Sequence, residues 1–172
     1  MLPHLDAAYN LARWLVRRDD DAADIVQDAY LRAWRFFDSF KHATDTARAR
    51  AWLLTIVRNV AMTHLRHERS RGFVETNFDE TIHCVELTEE PDARAIRDAD
   101  AETLRSAMEQ LPPIMREAIV LRELEGLSYK EISDVVGVPM GTVMSRISRA
   151  RQQLMQIVAA TMHVGSGEAG RS

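Results

Sequence analysis

Basic and polar side chains recur at helical spacing towards the C-terminal end of the sequence, and no acidic residue lies among them between positions 140 and 154. Guanidinium groups neutralise phosphates and can bond guanine in two places, while hydroxyl and amide groups contact base edges. The pattern therefore predicts a helix that enters the major groove of DNA. The side chains predicted on its DNA-facing side are Thr142, Ser145, Arg146, Arg149 and Gln153.

The surrounding residues predict a helix-turn-helix that positions this face. Ser128 and Glu131 have the spacing of a capping box, which starts a short first helix. Gly137 and Pro139 then favour a helix end and a turn. The second helix has an apolar back, because its aliphatic residues recur every three or four positions: Val143, Ile147, Ala150 and Leu154. The alternative is an ordinary helical hairpin with a solvated face.

A second basic face is predicted on a helix over residues 48–69, where phosphates could be neutralised and unstacked bases held. The loop before it, residues 38–47, could receive such a base. The candidate contacts are Lys41, His42, Arg50, Arg58, Asn59, Thr63 and Arg66. The buried side of this helix is predicted to be Trp52, Leu53, Ile56, Val57, Val60, Ala61 and Leu65. An amphipathic surface helix without a ligand explains this segment equally well.

Residues 21–37 predict a helix whose polar side indicates a protein partner rather than catalysis. Asp24 and Asp28 could pair as acid and base, but no nucleophile or phosphate loop accompanies them, so no enzyme is expected. Leu31 is predicted to be exposed among charges, which favours a docking surface made of Asp24, Gln27, Asp28, Leu31, Arg32 and Arg35. The predicted buried stripe is Ile25, Val26, Ala29, Tyr30, Ala33, Trp34 and Phe37.

Composition predicts an all-α protein of two small helical domains. The 172 residues are 46% hydrophobic but only 6% aromatic, with seven glycines, which disfavours a β-rich fold. A first domain is predicted over 1–70, and its first helix would bury Leu5, Ala8, Ala12, Leu15 and Val16. Residues 71–98 predict an acidic flexible linker, residues 99–160 the helix-turn-helix domain, and residues 161–172 a disordered tail.

Charge and cysteine usage limit the class of protein further. The net charge is −4, yet the basic residues concentrate on both sides of the acidic linker, as expected for two polyanion-binding modules. Cys84 is the only cysteine, and no apolar run is long enough for a membrane span, so a soluble cytoplasmic protein is expected. His64, His67, His83 and Cys84 fit no zinc-binding spacing, and neither metal nor cofactor is expected.

Three blocks of this sequence resemble the extracytoplasmic-function sigma factors of bacterial RNA polymerase. They are DAADIVQDAYLRAWRFFDSF at 21–40, RAWLLTIVRNVAMTHLR at 50–66, and residues 111–154, which include GTVMSRISRAR. The resemblance implies a non-enzymatic initiation factor that binds core RNA polymerase and promoter DNA. It also implies an anti-sigma protein as a partner, and no direct membrane insertion.

The resemblance assigns a role to each candidate face. The helix around Asp24 to Arg35 matches the polymerase-docking surface, and residues 38–66 match the reader and melter of the −10 element. Helix 140–154 matches the reader of the −35 element. The family often has aspartate where this chain has Thr63, so its base preference does not carry over. Two alternatives remain: a conventional helix-turn-helix regulator, and a sigma-like decoy that binds an anti-sigma protein.

Overall fold

Two antiparallel helices joined by a tight turn begin the fold. The computed structural model describes residues 4–37, 46–71 and 101–167. Helix α1 spans Leu5–Val16 and α2 spans Asp19–Phe36. Arg17 adopts the left-handed conformation (φ 67°), and its N–H donates to the Arg13 carbonyl at 3.0 Å, which ends α1. Three aspartates occupy the first turn of α2, where the helix dipole favours negative charge.

Helix α3, Thr46–Arg71, packs against both α1 and α2 and completes the first helical unit. Its buried side chains are Leu53, Leu54, Val57, Val60 and Ala61. Trp52, Ile56 and Leu65, predicted to be buried, are only partly so. Lys41 and His42 lie outside the described residues, as does most of the predicted 38–47 loop.

The second helical unit consists of α4 (Ala101–Gln110), α5 (Pro113–Ile119), a π-helical segment (Val120–Leu124), α6 (Tyr129–Val136) and α7 (Met140–Gly167). Pro113 begins α5 as the sequence predicts, because proline loses no hydrogen bond at a first helical position. The described residues form helices and turns and no strand, which confirms the all-α prediction.

The two units share one continuous hydrophobic core. Helix α1 packs against α5 and the π-helical segment, and α3 packs against α6, the first helix of the predicted helix-turn-helix. Sequence patterns left the arrangement of the two predicted domains open. The structure places them in direct contact, and residues 72–100 of the predicted linker lie outside the described residues.

Several predicted core positions are wrong. Leu5 is 43% exposed, and Leu11 is buried in its place. Trp34 is 79% exposed and Phe37 is 40% exposed. Helix α2 has 18 residues and α1 has 12, a difference of about 9 Å in length, so the end of α2 extends beyond its neighbour. This extension accounts for the exposure of Phe37, whereas Trp34 lies on the side of α2 opposite Ile25 and is exposed although Ala33 beside it is buried.

Helix α7 is longer than the sequence pattern indicates. It continues to Gly167, which is seven positions beyond the predicted domain boundary at 160. Alanine and methionine at positions 159–162 favour this continuation. Residues 168–172 of the predicted tail lie outside the described part of the chain.

Candidate nucleic-acid interface

Local contacts build the helix-turn-helix as the sequence predicts. The Ser128 hydroxyl accepts from the Glu131 N–H at 3.3 Å, and the Glu131 carboxylate accepts from the Ser128 N–H at 2.8 Å. Gly137 ends α6 in the left-handed conformation (φ 71°), where an L side chain would be strained. The carbonyl of Pro139 then accepts from the N–H groups of Thr142 and Val143, which begins α7. The capping box and the turn are both confirmed.

The predicted back of α7 is buried, which fixes the direction of its other side. Val143, Ile147, Ala150 and Leu154 are each at most 1% exposed. Among the predicted DNA-facing residues, Gln153 is exposed, whereas Thr142, Ser145 and Arg149 are partly covered. The Ser145 hydroxyl donates to the Thr142 carbonyl at 2.9 Å. The predicted side chains therefore share one face of α7, but only part of that face is open to solvent.

Glu117 of α5 joins the two predicted DNA-binding faces. It is fully buried, and Arg58 of α3 donates to its carboxylate through Nε at 2.9 Å and through a terminal nitrogen at 3.3 Å. Arg146 of α7 forms an ion pair with the same carboxylate at 3.6 Å, and only 13% of its side chain is exposed. Burial raises the pKa of Glu117, while the Arg58 hydrogen bond and both positive charges oppose that rise.

A second buried acid makes a similar contact between the units. Glu125, which follows the π-helical segment, is 8% exposed and forms an ion pair with Arg50 of α3. The Asn10 side-chain amide of α1 donates to the other Glu125 oxygen at 3.4 Å. Arg50, a predicted −10 contact, therefore also faces the second helical unit.

The remaining described residues of the predicted −10 face are more open to solvent, although Arg66 also lines a pocket with Pro113 and Ile114 of the second unit. Asn59 and Arg66 are exposed, and Thr63 lies between them with its hydroxyl donating to the Asn59 carbonyl at 2.9 Å. Arg66 donates to the Thr63 hydroxyl oxygen at 3.2 Å. The predicted Arg58–Asn59 pair stays in contact, since a terminal nitrogen of Arg58 donates to the Asn59 side-chain oxygen at 3.4 Å while the same guanidinium reaches Glu117 of the second unit.

The outer face of α2 carries the predicted docking residues. Leu31 is 55% exposed, as predicted. Asp28 accepts two hydrogen bonds from Arg32, at 2.9 and 3.1 Å, which orders charged groups beside it. Asp24, Gln27 and Arg35 are also exposed. Sequence reasoning missed the apolar extension of this face by Trp34 and Phe36, which is 60% exposed.

Sequence reasoning also missed three buried charged residues of the second unit: Arg116, Glu117 and Glu125. Their position in the sequence could have indicated that they are buried. Arg116 and Glu117 follow Met115 and precede Ala118 and Ile119, so they interrupt an apolar run. A charge in such a run must find a partner or a hydrogen-bond network when the helix is buried.

Of the histidines considered as metal donors, His64 lies in a carboxylate cluster. Its Nε2 is 3.6 Å from Glu68 and 3.9 Å from Asp21. The Arg18 guanidinium lies 3.4 Å from the same Asp21 oxygen, so an arginine already supplies positive charge there. His67 is exposed outside this cluster, and His83 and Cys84 lie outside the described residues. No helix in the described part of the chain has the length and apolarity needed to cross a membrane.

Comparison with known proteins places both helical units in one class. The Sigma-70 region 2 family model matches residues 2–71, which include α1–α3, and the Sigma-70 region 4 model matches residues 101–154. The RNA polymerase sigma-H factor of Pseudomonas aeruginosa is 36% identical over 140 residues, covering 78% of this chain and 71% of that protein. The ECF RNA polymerase sigma-E factor of Escherichia coli K12 is 34% identical over 140 residues, covering 78% and 72%.

Solved structures agree with this grouping. A sigma factor RpoE bound to the anti-sigma factor NepR from Bartonella quintana has a TM-score of 0.69 and 30% identity, over 92% of this chain and 93% of that one. CnrH in complex with the cytosolic domain of CnrY has a TM-score of 0.56 and 25% identity, over 92% and 84%. The chain belongs to the extracytoplasmic-function family of RNA polymerase sigma factors.

Proposed function

We propose that this protein binds core RNA polymerase and directs it to a specific set of promoters. The observation that supports this most directly is the pairing of a sigma region 2 unit with a region 4 helix-turn-helix in one chain. Members of this family act as initiation factors and not as enzymes. Because RNA polymerase works on the chromosome, we place this activity in the cytoplasm.

Three surfaces carry out polymerase docking and the recognition of the two promoter elements. The outer face of α2, with Asp24, Gln27, Asp28, Leu31, Arg32 and Arg35, docks on polymerase. The exposed apolar area of Leu31 and Trp34 supports this role, because large apolar side chains on a surface commonly mark a protein interface.

The two promoter elements are assigned to separate helices. The −10 element is held by α3 and the preceding loop through Lys41, His42, Arg50, Arg58, Asn59, Thr63 and Arg66. The −35 duplex is read by α7 through Thr142, Ser145, Arg146, Arg149 and Gln153. The domain limits follow the same division, with 1–70 for the first unit and 99–160 for the second. Weak separate contacts suffice, because polymerase tethers both units to one promoter and raises their effective concentration.

An anti-sigma protein is the proposed inhibitor. A sigma factor at 30% identity is seen bound to an anti-sigma factor, and the two chains align over nearly their full lengths. Such a partner would be recognised by a loss of initiation that added polymerase restores.

The test is to add the purified protein to core RNA polymerase and to map transcription starts on genomic DNA. We expect new starts that share two sequence elements and that are absent with core polymerase alone. Starts at random positions would overturn the proposal. Binding of an isolated operator with no effect of polymerase would instead indicate a conventional helix-turn-helix regulator, and binding of an anti-sigma protein without any new starts would indicate a decoy.

A further inference from the structure

Two buried acids of the second helical unit neutralise arginines of both predicted DNA-binding faces. Arg58 of the −10 face and Arg146 of the −35 face share the buried carboxylate of Glu117. Arg50 of the −10 face is paired with buried Glu125. Two of these pairs, Arg58–Glu117 and Arg50–Glu125, join the two units, whereas Arg146 and Glu117 both belong to the second unit.

A carboxylate in this position competes directly with DNA. Arginine binds carboxylate and phosphate oxygens with the same planar arrangement of N–H donors. While Arg58 holds Glu117 with two hydrogen bonds, the N–H groups that make them cannot hold a phosphate or a guanine. The Arg58 side chain is only 22% exposed, so DNA cannot reach it without separation of the units.

The size of the closed body gives an independent reason for opening. A compact body made of the described residues 4–37, 46–71 and 101–167 has a radius of gyration of about 14 Å, which corresponds to a body roughly 35 Å across. Elements at −35 and −10 lie ~25 base pairs apart, or about 85 Å of duplex at 3.4 Å per pair. The closed arrangement therefore cannot reach both elements at once.

We propose that Glu117 and Glu125 form an intramolecular latch that holds the free protein closed and suppresses its binding to DNA until polymerase separates the two units. This inference rests on the proposed function, since it concerns the regulation of the same DNA-binding faces. Docking of α2 on polymerase does not use the latch residues, because Leu31 and Trp34 are exposed whereas Glu117 and Glu125 are buried.

The test compares three glutamate-to-glutamine substitutions in the full-length protein. Glu117→Gln and Glu125→Gln weaken the latch, and Glu123→Gln is the matched control. Glu123 belongs to the same stretch of chain, but its ion pair with Arg151 at 2.7 Å stays within the second unit. Each variant is measured by small-angle X-ray scattering and by its affinity for a fluorescent 30-base-pair duplex without polymerase.

Wild type and Glu123→Gln are expected to scatter as a closed body. Loss of one latch charge should shift the balance between open and closed forms about tenfold, equivalent to 1.4 kcal/mol. The radius of gyration of Glu117→Gln and Glu125→Gln should then rise, and their affinity for the duplex should increase by about the same factor. Circular dichroism establishes that each variant is folded, and if Glu117→Gln is not, Glu125→Gln carries the test.

A charge reversal gives a second reading that does not depend on DNA. Glu125→Lys places two cations together and should open the protein, whereas Arg50→Glu combined with Glu125→Lys should restore the closed scattering profile. Scattering and duplex affinity that are the same for all variants would overturn the latch.

Initiation assays on the same variants distinguish a failure of the latch from a failure of the proposed function. With saturating core polymerase, all three glutamine variants should initiate within about twofold of wild type, since polymerase already holds the units apart. If wild type directs no new starts, the proposed function fails whatever the scattering shows. If it does direct starts while the variants stay closed, only the latch fails.

Discussion

Replacement of Arg116 by methionine should cost more stability than any surface change in this chain, because Arg116 supplies a complete hydrogen-bond network. Its side chain is 1% exposed and donates to five backbone carbonyls, a number equal to the N–H groups that a guanidinium carries. Three of the acceptors are in the second unit, on Met108, Glu109 and Leu111. The other two, on Trp14 and Leu15, end α1 in the first unit.

The size of the loss in unfolding free energy depends on which hydrogen bonds each backbone carbonyl keeps without Arg116. Met108 still accepts from the Leu111 N–H at 3.2 Å, and Glu109 still accepts from Arg17. The carbonyls of Trp14, Leu15 and Leu111 would lose their bonds to Arg116, at roughly 1–3 kcal/mol for each one left unsatisfied in the interior. Removal of the buried charge offsets part of this cost. Burial lowers the pKa of Arg116 to about 10, so the arginine is charged at neutral pH. The expected net loss is about 3–5 kcal/mol.

The measurement is urea unfolding followed by circular dichroism, with Arg105→Met as the matched control. Arg105 is half exposed and pairs with Glu102 at 3.2 Å within α4, so its loss should cost at most about 1 kcal/mol. A loss of 3–5 kcal/mol is a large share of the roughly 5–15 kcal/mol that stabilises a typical domain. Equal unfolding free energies for the two variants would show that Arg116 does not hold the units together.

The other predictions concern the cap and the two outer faces. Ser128→Ala should cost about 0.5–2 kcal/mol in urea unfolding at neutral pH. Hydrogen bonds from Ser128 lower the pKa of Glu131 below its ordinary 4.5, so the stability contributed by the cap is present above that pH and is lost as the pH falls through the lowered pKa. The difference between wild type and Ser128→Ala should therefore shrink in unfolding at acidic pH, and an unchanged difference would contradict this. Trp34→Ala should alter stability by less than about 0.5 kcal/mol while weakening the binding of core polymerase, as measured by fluorescence anisotropy, and undiminished binding would refute its docking role. Arg149→Ala should lower initiation at promoters with a −35 element by about 5-fold to 150-fold with unchanged polymerase binding, and an equal loss of both activities would contradict the assignment.

Local features of this protein were predicted well because they depend on neighbours in the sequence. The Ser128–Glu131 capping box needs only residues three positions apart, and the left-handed turn at Gly137 needs only the absence of a side chain. The buried back of α7, from Val143 to Leu154, follows from helical periodicity alone. The resemblance of three blocks to the sigma factors was confirmed by the matches to regions 2 and 4.

Burial on α2 was predicted less well, because the predicted stripe is wider than the side of the helix that the core covers. Trp34 follows Ile25 by nine residues, about two and a half turns, so the two side chains lie on opposite sides of α2. Ile25 is 3% exposed and Trp34 is 79% exposed, although Ala33 beside it is fully buried. The apolar surface at Trp34, which the sequence pattern assigned to the core, is therefore exposed and available to a protein partner.

The sequence by itself determined the helices, the helix-turn-helix and the chemical character of each face, since these properties arise from residues within a few turns of one another. Only the tertiary structure decided that Arg58 and Arg146 meet at Glu117, because that contact joins positions 59 residues apart on α3 and α5 and depends on how the two helical units pack. An arginine in a sequence shows what it can bind. Burial and the nearest carboxylate decide what it holds in the folded chain.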